Sequence, residues 1–287
     1  MKSLQGTGVA LVTPFNQDLT IDYTGFGKLL DFTVKGGVDY LVLNGTTGES
    51  ATTTEAENHE MLAFVKKHIA GNIPLVYGMG GNNTLDVLEF ISHTDLTGVE
   101  AILSISPYYN KPSQAGIYQH YLQIADASPV PVILYNVPGR TGSNISVETT
   151  LQLAQHPNII GTKEASGNIE QCLQILKDKP SDFMLISGDD LLTIPLIAVG
   201  AAGVISVLAN AYPEKFSRLT RLALSNNFQE ATKLILELIP LNPLLYEEGN
   251  PVGIKVILEA MGIIESYVRL PLVPASASLQ SRIQKLL

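Results

Sequence analysis

Short apolar runs rich in β-branched residues recur along the chain, and each is followed by a turn and a helical pattern. The starts of the runs lie roughly 20 to 35 residues apart, a spacing typical of β–α units. Eight such units in 287 residues predict an α/β fold, a closed (β/α)8 TIM barrel. An open doubly wound sheet is the alternative, because the eighth unit is weak. The predicted strands are Gly8–Val12, Asp39–Leu43, Pro74–Gly78, Ala101–Ile105, Pro131–Tyr135, Ile159–Lys163, Phe183–Ser187 and Gly203–Val207.

Helical periodicity fills the segments between the runs and continues beyond the last of them. Phe228–Ile239 and Pro251–Met261 predict additional helices that pack on or beside the barrel. We therefore divide the chain into a barrel over residues 1–225 and a C-terminal helical extension over residues 226–287. The apolar face predicted for the first helix consists of Phe26, Leu29, Leu30 and Phe32–Val34.

Charge and cysteine content narrow the class of protein. The chain carries 18 basic and 27 acidic residues, a net charge of −9, which argues against nucleic acid or an anionic membrane as a partner. Cys172 is the only cysteine, so no internal disulfide forms, which fits a reducing cytoplasm. The first apolar run is too short for the core of a signal peptide. We expect a cytoplasmic protein.

One uncharged stretch, Leu191–Pro213, is long enough to suggest a membrane span in a hydropathy scan. Pro195, Gly200, Gly203 and Asn210 interrupt it. We interpret it as a short buried helix followed by a short buried strand, and we predict no membrane contact.

The sixth predicted strand ends in a lysine. With a period of two residues, Ile159, Gly161 and Lys163 share one face of that strand, with Gly161 leaving room beside the lysine stem. If the face points inward, Lys163 enters the barrel mouth, where partial burial favours the neutral amine that attacks a ketone to form an imine. A solvated lysine at the end of a strand is the alternative. We expect Glu164 to face the helices or to cap the following turn.

The fifth predicted strand ends in Tyr135, which alternation also turns inward, beside Lys163. A phenol there can exchange protons with imine intermediates, although a tyrosine that merely fills the barrel fits the pattern as well. Arg140 follows in the loop, where a guanidinium suits bidentate capture of a substrate carboxylate. A surface ion pair is the alternative for Arg140.

Three further loops carry candidate residues. Asn44–Glu49, after the second strand, combines two hydroxyls, Thr46 and Thr47, with two glycines, and such a loop can bind a carboxylate or relay a proton. Ser106–Pro112, after the fourth strand, contains the tyrosine pair Tyr108–Tyr109, for which an interface patch is the alternative. Gly188 permits close backbone approach to a ligand, and one of the two following aspartates is expected to cap the next helix.

Other common constellations are missing from the sequence. The five histidines have no zinc-ligand spacing, and no Walker loop, dinucleotide fingerprint or nucleophile elbow is present. We therefore expect a lysine mechanism without a metal or a cofactor.

These motifs together resemble the dihydrodipicolinate synthase family, also called 4-hydroxy-tetrahydrodipicolinate synthase, within the N-acetylneuraminate lyase superfamily. The resemblance rests on four motifs that occur in order, and it runs from about Gly6 to the C-terminal helices. They are Gly45–Glu49, Ser106–Pro112, Tyr135–Gly142 and Gly161–Glu164.

The resemblance implies a Schiff-base lyase that condenses pyruvate with L-aspartate 4-semialdehyde, in diaminopimelate and lysine biosynthesis. Lys163 would form the imine, and Thr46, Tyr135 and Tyr109 would relay protons, with Tyr109 coming from a neighbouring subunit. The expected assembly is a homotetramer of two tight dimers. The implied substrate-binding positions are Thr47, Arg140, Gly188 and Ile205.

The resemblance also implies a regulatory lysine site, and here the chain departs from the family pattern. Two histidines of lysine-sensitive members are replaced by Glu55 and Asn58, and Asp86 stands where a glutamate is common. His59 is adjacent but rotated by about 100° on a helix. We expect weak or no inhibition by L-lysine. The candidate site comprises Ser50, Ala51, Asn82, Asp86 and Tyr108.

Two other functions stay open from the sequence. N-acetylneuraminate lyases and 2-keto-3-deoxy sugar-acid aldolases share the lysine and the tyrosine, but they usually lack an arginine at position 140. A non-catalytic binding protein on the same barrel is a second alternative, and the intact set of Lys163, Tyr135 and Thr46 argues against it.

Overall fold

A computed structural model describes residues 4–287 and shows a closed barrel of eight parallel strands in sequence order. The predicted barrel is confirmed, and the open sheet is excluded because β1 pairs with β8. The first three residues of the proposed barrel unit lie outside the described part. The strands are β1 Gly6–Ala10, β2 Tyr40–Leu43, β3 Leu75–Gly78, β4 Ala101–Ile105, β5 Val132–Asn136, β6 Ile159–Glu164, β7 Met184–Ser187 and β8 Gly203–Ser206.

The first strand begins and ends earlier than the sequence pattern predicted. Its pairing with β8 stops at Val9, opposite Ser206. Beyond that point Val12 donates its backbone N–H to the side-chain oxygen of Asn210 at 3.1 Å instead of to a strand. A side chain from the turn after β8 thus replaces the ladder that the apolar run suggested.

Closure of the barrel depends on two glycines that face each other. Gly203 of β8 pairs with Gly6 of β1. A Cβ at Gly203 would lie 1.9 Å from the carbonyl oxygen of Gly6, so no other residue fits this backbone contact. The two ends of the sheet can therefore meet only at a glycine.

Helices surround the barrel, and most start with a side-chain cap. Thr54 and Glu57, for example, form a capping box at the start of the second helix. The helices are α1 Tyr23–Lys35, α2 Glu55–Ile69, α3 Thr84–His93, α4 Gln114–Ala127, α5 Pro138–Thr141, α6 Val147–Leu153, α7 Ile169–Asp178, α8 Thr193–Ala198, α9 Pro213–Leu224, α10 Phe228–Leu236, α11 Val252–Ala260 and α12 Ala277–Gln284.

The apolar face of α1 was predicted only in part. Phe26, Leu29 and Leu30 are fully buried, but Val34 is exposed. Thr33 completes the buried face, because it lies one helical turn after Leu29 and donates its hydroxyl to the Leu29 carbonyl at 2.9 Å. Thr33 falls within the predicted range Phe32–Val34, and the error in that range is Val34, which is exposed.

Two apolar layers form the core. The inner layer fills the barrel, and the outer layer lies between the strands and the helices. Strand residues alternate between the layers, as Ile133 and Leu134 of β5 illustrate. The inner layer contains Leu4, Ala10, Tyr40, Val42, Val76, Ala101, Leu103, Ile133, Tyr135, Val137, Ile186 and Ile205.

An irregularity in β6 changes which of its residues share a face. Val132 of β5 pairs with Ile159, but the next residue, Ile133, pairs with Gly161, so Ile160 has no partner on β5. Ile159 consequently lies in the outer layer, and the prediction that it shares a face with Lys163 is wrong. The extra residue was not visible in the apolar pattern.

The helices after α9 pack against the barrel through the outer apolar layer, to which Ile235, Leu245, Ile257 and Leu279 belong. The division of the chain at residues 225 and 226 stays a prediction. Leu191–Pro213 forms α8, β8 and the turn after β8, as predicted. Among residues 4–287, every helix is too short or too polar to cross a membrane.

Candidate active site

Lys163 and Tyr135 lie side by side at the carboxyl ends of two neighbouring strands. They are directly paired in the register of β5 and β6. Lys163 is 6% exposed, and its Nζ lies 4.2 Å from the centre of the Tyr135 ring. The predicted inward position of the lysine is therefore confirmed. The geometry brings a nearly buried primary amine together with a phenol at the top of the packed interior.

The space beside the lysine stem comes from a different glycine than the one predicted. A Cβ at Gly188, after β7, would lie 3.1 Å from Cε of Lys163 and 2.6 Å from Cβ of Ala165. A Cβ at Gly161 would instead meet the Met184 carbonyl oxygen at 2.7 Å. Gly161 therefore lets β6 and β7 approach each other, and Gly188 makes room for Lys163.

Glu164 points away from the site, as predicted. Its carboxylate is buried and accepts hydrogen bonds from Asn136 at 3.0 Å, from Gln171 at 3.0 Å and from the backbone N–H of Ser166 at 2.8 Å. It thus ties β5 to the turn after β6 and to α7. These bonds hold the strand end that carries Lys163.

The two threonines after β2 form a tight 3-10 turn, Thr46–Gly48. Thr47 is 3% exposed, and its Oγ1 accepts a hydrogen bond from Nδ2 of Asn250 at 3.0 Å. Thr46 is half-buried and lines a cavity together with Tyr135 and Arg140. The turn thus exposes one hydroxyl residue to the cavity and fixes the other from the C-terminal segment.

Arg140 lies in the short helix α5, which follows β5 directly. Its side chain is exposed, and no carboxylate within residues 4–287 lies within ion-pair distance of it. The alternative of a surface ion pair is therefore not supported within the described part of the chain. The guanidinium faces the cavity without a charged partner, which leaves it available to an anionic ligand.

Tyr109 is not packed against the other candidates. It is 89% exposed, and its φ of +73° is in the left-handed region that non-glycine residues rarely adopt. Its backbone N–H donates to the Thr141 carbonyl at 3.3 Å, which fastens this loop to the end of α5. An exposed aromatic side chain on a constrained backbone is a typical contact for another surface.

The two aspartates after Gly188 have separate roles. Asp189 accepts hydrogen bonds from the N–H groups of Leu191 and Leu192 at 2.9 and 3.3 Å, in the turn before α8. The prediction that an aspartate caps α8 is wrong, because the N-cap of that helix is Leu192, with no side-chain hydrogen bond. Asp190 instead accepts from the N–H groups of Val207 and Leu208, at 3.1 and 2.8 Å. Asp190 thus fixes the chain just after Ile205, which is buried in the inner layer.

A cavity of about 780 Å³ joins the candidate active site to the candidate regulatory residues. Its inner part is lined by Thr46, Tyr135 and Arg140. His59 lies outside it, stacked on Phe90 and within 3.3 Å of the Thr94 hydroxyl, as its position on α2 predicted. The outer part is lined by Ser50, Ala51, Glu55, Asn58, Asn82, Asp86 and Tyr108.

Three residues around the turn after β2 were given no role by the sequence analysis. Asn250 holds Thr47, while Glu49 and Lys255 form an ion pair behind the turn. Lys255 did leave a signal, because it is a lone charge within the apolar segment Val252–Leu258 of α11. A charged residue in such a helix indicates a buried partner.

Among the described residues, no three histidine, cysteine, aspartate or glutamate side chains are grouped as a metal site would need.

A model of the dihydrodipicolinate synthetase family matches residues 3–287. The chain belongs to this family. The match spans both the barrel and the C-terminal helices of this chain.

Individual members of the family are similar over nearly the whole chain. A 4-hydroxy-tetrahydrodipicolinate synthase from Cytophaga hutchinsonii is 52% identical over 285 residues, covering 99% of this chain and 96% of that protein. The chloride-inhibited dihydrodipicolinate synthase of Acinetobacter baumannii, solved with pyruvate, is 36% identical with a TM-score of 0.96, covering 99% and 97%. The DHDPS of Cyanidioschyzon merolae, solved with lysine bound, is 36% identical with a TM-score of 0.95, also covering 99% and 97%.

We predict that Asp190 makes folding less favourable as the pH rises from about 4 to 6. Burial raises the pKa of Asp190 from 3.8 to about 6, so the folded protein holds this proton more tightly than the unfolded chain. The unfolded chain ionises first, and stability falls until the folded carboxyl also ionises. Asp190→Asn removes this titration but keeps an acceptor oxygen. In urea denaturation, stability relative to wild type should increase by up to about 3 kcal/mol across this range. A difference that is independent of pH would contradict the assignment.

Proposed function

We propose that the chain is a 4-hydroxy-tetrahydrodipicolinate synthase that condenses pyruvate with L-aspartate 4-semialdehyde. The observation that carries the proposal is the nearly buried Lys163, 4.2 Å from the ring of Tyr135, which lines a cavity together with Arg140. Relatives named for this activity, one of them 52% identical, support it. We place the protein in the cytoplasm, because it would be a biosynthetic enzyme of this class.

The proposed reaction starts at the lysine amine. Nζ of Lys163 attacks C2 of pyruvate, and loss of water gives an imine. Loss of a methyl proton then gives an enamine, whose carbon attacks the aldehyde carbon of the second substrate. The amino group of that substrate finally displaces the lysine from C2 as the ring closes, which restores the free amine.

Protons in this sequence would pass through Tyr135, the group nearest to the amine in the paired strand. Thr46 lines the same cavity, and Tyr109 of a neighbouring subunit would complete the relay. Thr47 and the backbone at Gly188 and Ile205 would hold pyruvate. The supporting observations are the fixed position of Thr47 and the close approach of Gly188 to the lysine stem.

Arg140 would bind the carboxylate of the semialdehyde. It faces the cavity with no carboxylate of residues 4–287 in ion-pair distance, and its short helix lies directly after the strand of Tyr135. A guanidinium in this position favours a second substrate with a carboxylate over a polyhydroxylated sugar acid. This is the reason to prefer the proposed activity over that of the related sugar-acid aldolases.

We also propose that the chain forms a homo-oligomer of two tight dimers. The loops of Tyr108 and Asn82 are joined by a 3.0 Å hydrogen bond from Asn110. Exposed Tyr109, and exposed Leu85 at the start of α3, would form the tight interface. Ile169, Leu173 and Val199 are exposed on and after the neighbouring helices α7 and α8. They would form the weaker contact between dimers.

Pyruvate and borohydride together should label the protein covalently at Lys163. Borohydride reduces an imine to a stable secondary amine, so the modified peptide should be the one that contains Lys163. Lys163→Arg should abolish labelling, because arginine stays protonated and is not a nucleophile. Peptide mapping by mass spectrometry is the measurement. A label on another lysine, or no label on wild type, would show that the proposed mechanism is wrong.

Arg140→Leu should leave pyruvate imine formation intact and impair condensation. Loss of a charge-assisted bidentate contact costs a few kcal/mol, so kcat/KM for the semialdehyde should fall by about a hundredfold or more. Arg218→Leu, which removes an exposed arginine from α9, is the matched control and should behave like wild type. Turnover of the Arg140 variant at low semialdehyde that equals wild type would refute the carboxylate contact.

Tyr109→Phe and Lys163→Ala should each be nearly inactive, yet activity should return when the two variants are dissociated, mixed and reassembled. A hybrid dimer has one site with both functional residues, so about one quarter of the wild-type activity is expected at equal mixing. Native mass spectrometry verifies that hybrids have formed. Hybrids without activity would place Tyr109 outside the neighbouring site.

Inhibition by L-lysine should be weak or absent. Asn58 and Glu55 line the outer cavity where lysine-sensitive family members have histidines, and Asp86 is exposed and bonded to Asn83 at 2.7 Å. Two ring contacts are therefore missing, and Glu55 repels the carboxylate of the ligand although it attracts the ammonium group. Steady-state rates at saturating pyruvate across a lysine titration test this. Near-complete inhibition well below millimolar lysine would be inconsistent with it.

A further inference from the structure

A buried ion pair connects the C-terminal segment to the threonine turn. Nζ of Lys255, in α11, lies 2.6 Å from Oε1 of Glu49, and the two side chains are 0% and 2% exposed. Glu49 is the residue that directly follows the 3-10 turn Thr46–Gly48. The pair therefore joins two parts of the chain that are 206 residues apart.

The polar groups of this pair have further partners from the same C-terminal segment. Lys255 also donates to the Tyr267 carbonyl at 2.7 Å, and the backbone N–H of Arg269 donates to Oε2 of Glu49 at 3.0 Å. Burial lowers the pKa of Lys255 to about 8, and the Glu49 carboxylate opposes that change. The Glu49 carboxylate is thus held at both oxygens, by Lys255 and by the Arg269 N–H.

Glu49 in turn determines the shape of the threonine turn. Its φ of +56° is unusual for a residue with a long side chain, so contacts of that side chain are needed to maintain it. Its backbone N–H donates to the Thr46 carbonyl at 3.1 Å and closes the turn. Since Asn250 holds Thr47 from the same C-terminal segment, that segment contacts both the middle of the turn and the residue that follows it.

A buried ion pair contributes little to the net stability of a fold, because desolvation offsets most of the attraction between the charges. Apolar residues of similar volume often stabilise a fold equally well. They cannot hold a carboxylate at a fixed place, however, and a fixed carboxylate is what the turn requires.

We propose that Lys255 is a positioning residue which, through Glu49, holds the Thr46–Thr47 turn in the geometry that binds pyruvate. This inference rests on the proposed function, which assigns pyruvate to that turn. Arg140 lies on α5, outside this network, so the semialdehyde contact is independent of it. Disruption of the pair should therefore weaken the use of pyruvate and leave that of the semialdehyde unchanged.

Three variants separate positioning from stability. Glu49→Met with Lys255→Met removes both charges together and leaves no unpaired ion. Glu49→Gln removes only the charge of the acid, and its amide oxygen can still accept from the Lys255 amine. Lys215→Met breaks an ion pair of similar length, 2.7 Å to Glu237, on the outside of α9, and serves as the control.

For each variant, urea denaturation establishes folding, and the KM of each substrate and the rate of pyruvate imine formation are then measured. The double Met variant should fold, and its pyruvate KM should increase by about tenfold or more, since small misplacement of a binding group has large effects. Its semialdehyde KM should stay within about twofold of wild type. Glu49→Gln keeps an acceptor for Lys255 but loses the one for the Arg269 N–H, so it should recover part of the pyruvate KM, and Lys215→Met should match wild type.

Four results would overturn the inference, and a fifth would refute the proposed function. A folded double Met variant with a wild-type pyruvate KM would overturn the inference, as would equal increases in both KM values. So would a Glu49→Gln variant no better than the double variant. A double variant that does not fold would assign the pair to stability, and this too would overturn the inference. Wild-type protein that forms no pyruvate imine would instead refute the proposed function.

Discussion

Closure of the barrel is the constraint on which the rest of the structure depends. Because β8 returns to β1 at a contact between two glycine backbones, all eight strands end around one mouth. The packed inner layer fills the space below that mouth, so a polar side chain at a strand end has only the upper opening available. Lys163 and Tyr135 are adjacent for this reason, and their pairing follows directly from the register of β5 and β6.

The C-terminal segment also contributes to the mouth of the barrel. Residues after α9 reach back to it, with Asn250 bonded to Thr47 and Lys255 to Glu49. Arg269 extends the same network, because it forms an ion pair with Glu57, in the capping box of α2. The C-terminal segment therefore shapes the barrel mouth that holds the candidate active site, and its helices also cover the outer apolar layer.

Much of the fold could be predicted because it depends on local patterns. Apolar runs spaced like β–α units gave the eight strands, and alternation placed Lys163 and Tyr135 on the inner face. Errors arose where a distant or irregular feature intervened. The extra residue at Ile160 moved Ile159 to the outer layer, and Gly188 rather than Gly161 accommodates the lysine stem. Contacts across some 200 residues, such as those of Asn210, Asn250 and Lys255, have no counterpart in periodicity.

The continuous cavity has a consequence for communication between its two ends. Its outer part, beside Asp86 and Glu55, and its inner part, beside Tyr135 and Arg140, belong to one open volume. A charged molecule lodged at the outer end would change the local potential felt at the inner end with no movement of the backbone. Such influence weakens as added salt shortens the Debye length, about 8 Å at physiological ionic strength. Conformational relays have no such dependence, so in this molecule ionic strength distinguishes through-space coupling from mechanical coupling.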